Sequence, residues 1–139
     1  MQYHPRYLAG IVLFNEQEFF EAHEVWEGIW LESSGLERKF YQSLIQAAVG
    51  LCHFGNGNVR GALKLFHSSR AYMQPCGSSF LGLDVIAFWA QMERCFAGLL
   101  AGLEPDRSLR PDPALLPVLR LDPPPDTWPD PAEFLDEEE

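Results

Sequence analysis

The stretch FFEAHEVWEGIW, from Phe19 to Trp30, decides how the chain is read. On a helix, residues three and four apart share a face. At that spacing Phe19, His23, Trp26 and Trp30 form one stripe, with Phe20 and Glu27 along its edge. Glu21, Glu24 and Gly28 project toward the opposite side. The segment therefore reads as an aromatic helix that packs on one side and carries a His23–Glu27 pair, one turn apart, beside the buried seam.

The signals on either side repeat this helical reading. Asn15 is expected as the N-cap, with Glu18 three residues later reaching back and Phe14 and Phe19 at staple positions, so the helix is placed from Glu16 to about Leu31. Upstream, His4-Pro5 opens a short helix that ends near Phe14. Downstream, Ser34-Gly35-Leu36-Glu37 has capping-box spacing and leads a long helix to Phe54. Gly55-Asn56-Gly57-Asn58 is a break whose residues tolerate positive φ and can cap the next helix. That fourth helix is expected from about Val59 to Met73, and a fifth from Asp84, its N-cap, to about Leu100. No sustained polar–apolar alternation marks a strand. Short connections between such helices make sequential neighbours antiparallel. The expected fold is an all-α, single-domain bundle of about five antiparallel helices with a proline-rich C-terminal tail.

Composition divides the chain at the same place. The formal net charge is −10, but the stretch 103–139 holds eleven acidic and three basic residues, leaving only −2 for residues 1–102. Nine of the eleven prolines also lie beyond Gly102, which excludes a regular helix or inner strand there. Residues 1–102 are thus expected as the helical bundle domain and 103–139 as a proline-rich acidic tail. Leu115, Leu116, Val118, Leu119, Leu121, Trp128 and Phe134 give that tail the apolar groups of a strap, docked to about Trp128 and mobile beyond.

The few basic residues of the folded part are scattered, so no stripe for nucleic acid exists. The apolar run from Tyr7 to Phe14 is too short to span a membrane. Cys52, Cys76 and Cys95 lack metal-type spacing and read as reduced thiols of a cytoplasmic protein.

His23-Glu24-Val25-Trp26-Glu27 invites comparison with the H-E-x-x-H zinc motif, but Glu27 stands where the second histidine belongs. The third helix offers partners, because Arg38, Gln42, Gln46, Val49 and His53 share a face. If that face turns toward the second helix, His23, Glu27, Gln42, Gln46 and His53 converge in an internal polar cluster. Three readings of the cluster compete. It is a hydrogen-bonded inlay that fixes helix register, the favoured one because buried polar groups must be paired. It is a metal or acid–base site of His23, Glu27 and His53. Or it belongs to a ligand pocket walled by Trp26, Trp30 and Tyr41.

Four blocks, FNEQEFFEAHEVWEGIW, RKFYQSLIQAAVG, GNVRGALKLF and GLD, between Phe14 and Asp84, resemble the prokaryotic domain-of-unknown-function family 309. The resemblance implies a small all-helical protein whose polar signature falls on His23, Glu24, Glu27, Arg38 and Gln46. It also brings in the label of predicted metal-dependent hydrolase that some members carry.

The leading expectation is a non-catalytic scaffold or interaction module, self-associating, whose binding residues are His23, Glu27, Trp30, Arg38, Gln42, Gln46 and His53. The rival is a hydrolase that holds a divalent metal ion on His23, Glu27 and His53, with Glu24 as base.

Overall fold

The computed structural model describes residues 2–135. Five α-helices account for most of them: α1 Pro5–Asn15, α2 Phe19–Leu31, α3 Gly35–Gly55, α4 Val59–Met73 and α5 Val85–Leu100. Among the described residues the fold is all-α but for one small hairpin between α4 and α5, in which β1 Ser79–Phe80 pairs antiparallel with β2 Leu83–Asp84. Leu81 and Gly82 between them both have positive φ, the geometry of a tight two-residue hairpin turn. Two residues per strand are too few to leave an alternation in the sequence. Among the described residues no helix is long and apolar enough to cross a membrane.

Helix starts follow their caps. Pro5 occupies the first turn of α1, and His4 Nδ1 accepts from the Arg6 N–H. Asn58 accepts from the Gly61 N–H at 3.0 Å and Asp84 from the Ala87 N–H at 3.0 Å, opening α4 and α5. Two starts differ from expectation. Ser34 holds the N-cap position of α3, but its side chain makes no cap hydrogen bond, so the expected capping box is not formed. Asn15 is the last residue of α1, not the cap of α2, whose N-cap position is Glu18. The reason is the way α1 stops: Gln17 adopts φ 68°, the Gln17 N–H donates to Phe14 O, and the Glu18 N–H donates to Leu13 O. That pair of bonds is the Schellman reversal, and it turns the chain two residues beyond Asn15. The same motif ends α3, with Gly57 at φ 85° and the Asn58 N–H on His53 O.

Each of the first four helices packs against the next, most extensively α3 on α4 and α2 on α3. Trp26 is fully buried at the α1–α2 contact. A Cβ placed on Gly10 would stand 1.9 Å from Trp26 Nε1, so the indole lies directly on bare α1 backbone. There Nε1–H donates to Tyr7 O at 3.2 Å. Phe14 joins Trp26 to Phe19 and, across the core, to Phe88 of α5. Between α3 and α4 the buried Ser43 hydroxyl donates to Ser69 O at 2.6 Å. By contrast, α4 and α5 touch over little of their length.

The proline-rich segment crosses this framework. The Asn15 side-chain amide donates to Leu119 O and accepts from its N–H, at 2.9 and 2.8 Å. The Gln91 amide does the same for Val118, at 3.0 and 2.9 Å. Leu119 and Leu121 are buried, and Leu121 bridges Leu83 in antiparallel fashion. Tyr3 donates to Pro123 O, and farther along Phe134 lies under the Arg6 guanidinium beside α1. Trp128, the expected end of the strap, is exposed, while Phe134 is half-buried against the core. The remainder of the acidic end, 136–139, lies outside the described residues.

Two substitutions on α1 and its stop should move stability in opposite directions. Gly10→Ala forces Trp26 off its seat and should cost about 1–3 kcal/mol. Gln17→Gly relieves a left-handed side chain and should gain about 0.5–1 kcal/mol. Urea midpoints at constant m-value measure both.

Candidate functional site

The second helix carries His23 at the edge of the core, not inside it. Its Nδ1–H donates to Phe20 O one turn back, and the Phe20 ring meets the imidazole edge-on at 4.8 Å between centroids. With Nδ1 donating, the neutral ring leaves Nε2 as a lone pair. Glu27 Oε2 stands 3.7 Å from that nitrogen, an ion-pair distance for the protonated ring. The His23 side chain is 15% exposed and Glu27 53%. A pair this open to water is worth little on its own. Glu24 is exposed as well.

Trp30 and Arg38 form a tighter unit. The guanidinium lies 3.9 Å from the Trp30 ring centroid, well within cation–π range. Its Nη1 donates to Trp30 O at 3.2 Å and to Ser33 O at 3.3 Å. These contacts lie at the C-terminal end of α2, where a cation also meets the negative end of the helix dipole. Arg38 thus staples the start of α3 to the end of α2.

The polar face of α3 is divided, with Arg38 at its start reaching α2 and Gln46 farther along reaching α4. Gln46 Oε1 accepts a short hydrogen bond from the Ser68 hydroxyl on α4. Gln42 is half-buried. His53 is half-buried at the far end of α3, where its carbonyl terminates the helix. The internal cluster of His23, Glu27, Gln42, Gln46 and His53 therefore does not form. Because α2 and α3 are joined by three residues and pack together, the chain doubles back near Ser33. His23 lies ten residues before that turn and His53 twenty after it. At about 1.5 Å rise per residue His53 sits roughly 15 Å too far along the axis. Among the described residues no three His, Cys, Asp or Glu side chains group closely enough to hold a metal ion.

The pocket expected between Trp26, Trp30 and Tyr41 is filled as well. Trp26 occupies the Gly10 notch, and Tyr41 packs edge-on against Tyr7 and Phe40. Burial pushes the Tyr41 hydroxyl up, helped by the nearby Glu37 carboxylate, so it stays protonated. Burial also lifts the Cys95 thiol from its ordinary 9.0 to about 11, with Asp112 adding to the effect. Cys95 is consequently a packed thiol rather than a nucleophile.

Open clefts lie elsewhere. One of about 580 Å³ separates α4 from α5 and is lined by Arg70, Ala71, Val85, Ile86, Trp89 and Glu93 among others. A second, of about 590 Å³, lies on the other side of Ile86 beside Ser79, Asp84 and Asp122. Ile86, 68% exposed, is the ridge between them. Arg70 and Glu93 span the first cleft as an ion pair at 2.5 Å, with the Arg70 guanidinium 6.0 Å from the Trp89 ring centroid. Periodicity places Glu93 on a solvent-facing side of α5 but cannot reveal a partner on another helix. Ser43, by contrast, is legible as a lone polar residue among Phe40, Leu44 and Ala47.

Comparison with known proteins gives two findings. The family model described as "Domain of unknown function (DUF309)" matches residues 7–65, which run from α1 into α4. A protein of Aquifex aeolicus (strain VF5), described as "Uncharacterized protein", is 28% identical over 94 residues. That alignment covers 67% of this chain and only 28% of the relative, so the chain corresponds to a minor part of that longer protein.

The geometry ranks the signature residues by structural weight. Arg38→Ala should lower stability by about 1–2 kcal/mol, since it removes charge-assisted bonds and a stacked cation together. Arg38→Lys should recover only part, because an ammonium cannot both stack and bridge two carbonyls. Glu27→Gln should change stability by less than about 0.5 kcal/mol. Chemical denaturation of the three variants tests that order.

Proposed function

We propose that this chain, whose residues 7–65 match the DUF309 family model, is a non-catalytic helical interaction module that associates with itself in the cytoplasm. The observation that carries this reading is what Arg38 and Gln46, together with Trp30, are spent on. Arg38 and Trp30 lock the α2–α3 turn, and Gln46 ties α3 to α4 through Ser68. Residues committed to holding helices in place serve a scaffold, whose product is a surface. That surface carries isolated large apolar side chains, with Phe20, Leu31 and Ile86 all more than half exposed. Scattered singly, such side chains are ordinary, but Ile86 on α5 is set between two open clefts, a shape that a partner can engage. The partner is a protein rather than nucleic acid, because the folded part lacks a basic stripe to neutralise phosphates.

Light scattering coupled to size exclusion, run over a dilution series of the full chain, tests the self-association. A mass of two or more chains that falls on dilution is expected. A strict monomer at every concentration would sink the proposal.

A further inference from the structure

Helix α5 buries Phe88, Trp89, Met92, Cys95, Phe96 and Leu99 against the core. The flank of α5 turned toward α4 carries Ile86, Ala90, Glu93, Ala97 and Leu100, in steps of four, three, four and three residues. That spacing is the seam of a paired helix. Ile86 is 68% and Leu100 37% exposed, Glu93 and Ala97 are exposed, and Ala90 is half-buried. The seam also reads alike in both directions: apolar, small, Glu93, small, apolar.

We infer that this face of α5 is the contact with a second copy of the chain, laid antiparallel about a two-fold axis near Glu93. The inference rests on the self-association proposed above and names its surface. A two-fold contact must be self-complementary, and this seam is. Antiparallel pairing sets Ile86 of one copy against Leu100 of the other, and the alanines on either side of Glu93 let the two backbones approach.

Charge selects the same occupant. Glu93 alone would meet its own image, but Arg70 stands 2.5 Å from it, and both side chains are about half exposed. On the axis the two pairs alternate in sign, each guanidinium reaching the other copy's carboxylate. The α2 face offers the contrast. Phe20, Glu24, Glu27 and Leu31 have similar spacing, but antiparallel pairing there would put Glu24 against Glu27, two carboxylates at the centre of the contact. Shape agrees with charge. The Ile86 ridge runs between clefts of about 580 and 590 Å³, and α4 and α5 leave the first unfilled by their own contact. A ridge flanked by grooves is how helices interdigitate.

The test uses the full chain and two charge swaps. Arg70→Glu gathers four acids at the axis of its own dimer, and Glu93→Arg gathers four bases. Each should weaken dimerisation about tenfold or more by sedimentation equilibrium, because like charges brought together across an interface are strongly disfavoured. Mixing the two variants should restore a heterodimer within about threefold of the wild-type Kd, since acids of one copy then face bases of the other. Ala97→Glu, at an exposed position, should weaken association about as much with an unchanged thermal melt. A wild-type dimer that tolerates all three changes overturns this surface and leaves self-association intact. A mixture that stays monomeric also overturns it. A wild-type chain that never dimerises removes both readings.

Discussion

Trp26 rests on the bare backbone of Gly10, with no room for even a methyl group between the helices. That contact sets how closely α1 and α2 approach, and the indole N–H on Tyr7 O sets where along the axis they meet. The consequences spread from it. Phe14 is held between Phe19 and Trp26 and presents its remaining edge to Phe88, so α5 is positioned by the same aromatic layer. Tyr7, one turn before Gly10, packs against Phe40 and Tyr41 and brings in α3. Its hydroxyl donates to Leu81 O, which anchors the hairpin between α4 and α5. Close-packed interiors transmit small displacements, so enlarging Gly10 would be felt at each of these contacts.

The strap shows a second constraint. A proline-rich segment cannot satisfy its backbone groups by forming helix or inner strand. Where it docks, at the half-buried Val118 and the buried Leu119, two amide side chains take that role, each donating and accepting once. Asn and Gln are the neutral side chains able to pair with both the N–H and the C=O of one residue. Asn15 at the end of α1 and Gln91 within α5 therefore clamp adjacent residues of the strap.

Much of the fold was legible because helices are local objects. The caps at Asn58 and Asp84, the break at Gly55–Asn58 and the apolar stripes lie within a few residues of what they determine. Asn15 departs from expectation for the same reason. Its spacing to Glu18 fits a capping box, yet the partner it found is 104 residues away. The candidate site suffered more. His23 and Glu27 do approach each other, as a one-turn spacing requires, but Gln46 faces α4 and His53 lies far along α3. Helical spacing gives a residue's angle around its own helix, not which neighbour occupies that angle.

By itself, then, the sequence determined the five helices, the composition boundary after Gly102, the apolar face of α3 and the His23–Glu27 proximity. All of these arise from backbone geometry repeated over one or two turns. Helix α2, by contrast, buries Ala22, Val25, Trp26 and Ile29 rather than the stripe through Phe19, His23 and Trp30. Only the tertiary structure decided that Arg38 would stack on Trp30, that Arg70 would reach Glu93 from another helix, and that α4 and α5 would stand apart around a cleft. Those outcomes depend on how each helix is rotated and how far it slides against its neighbours. That choice is made by the packing of whole side-chain layers, with Trp26 on Gly10 at their centre, and no short window of sequence contains it.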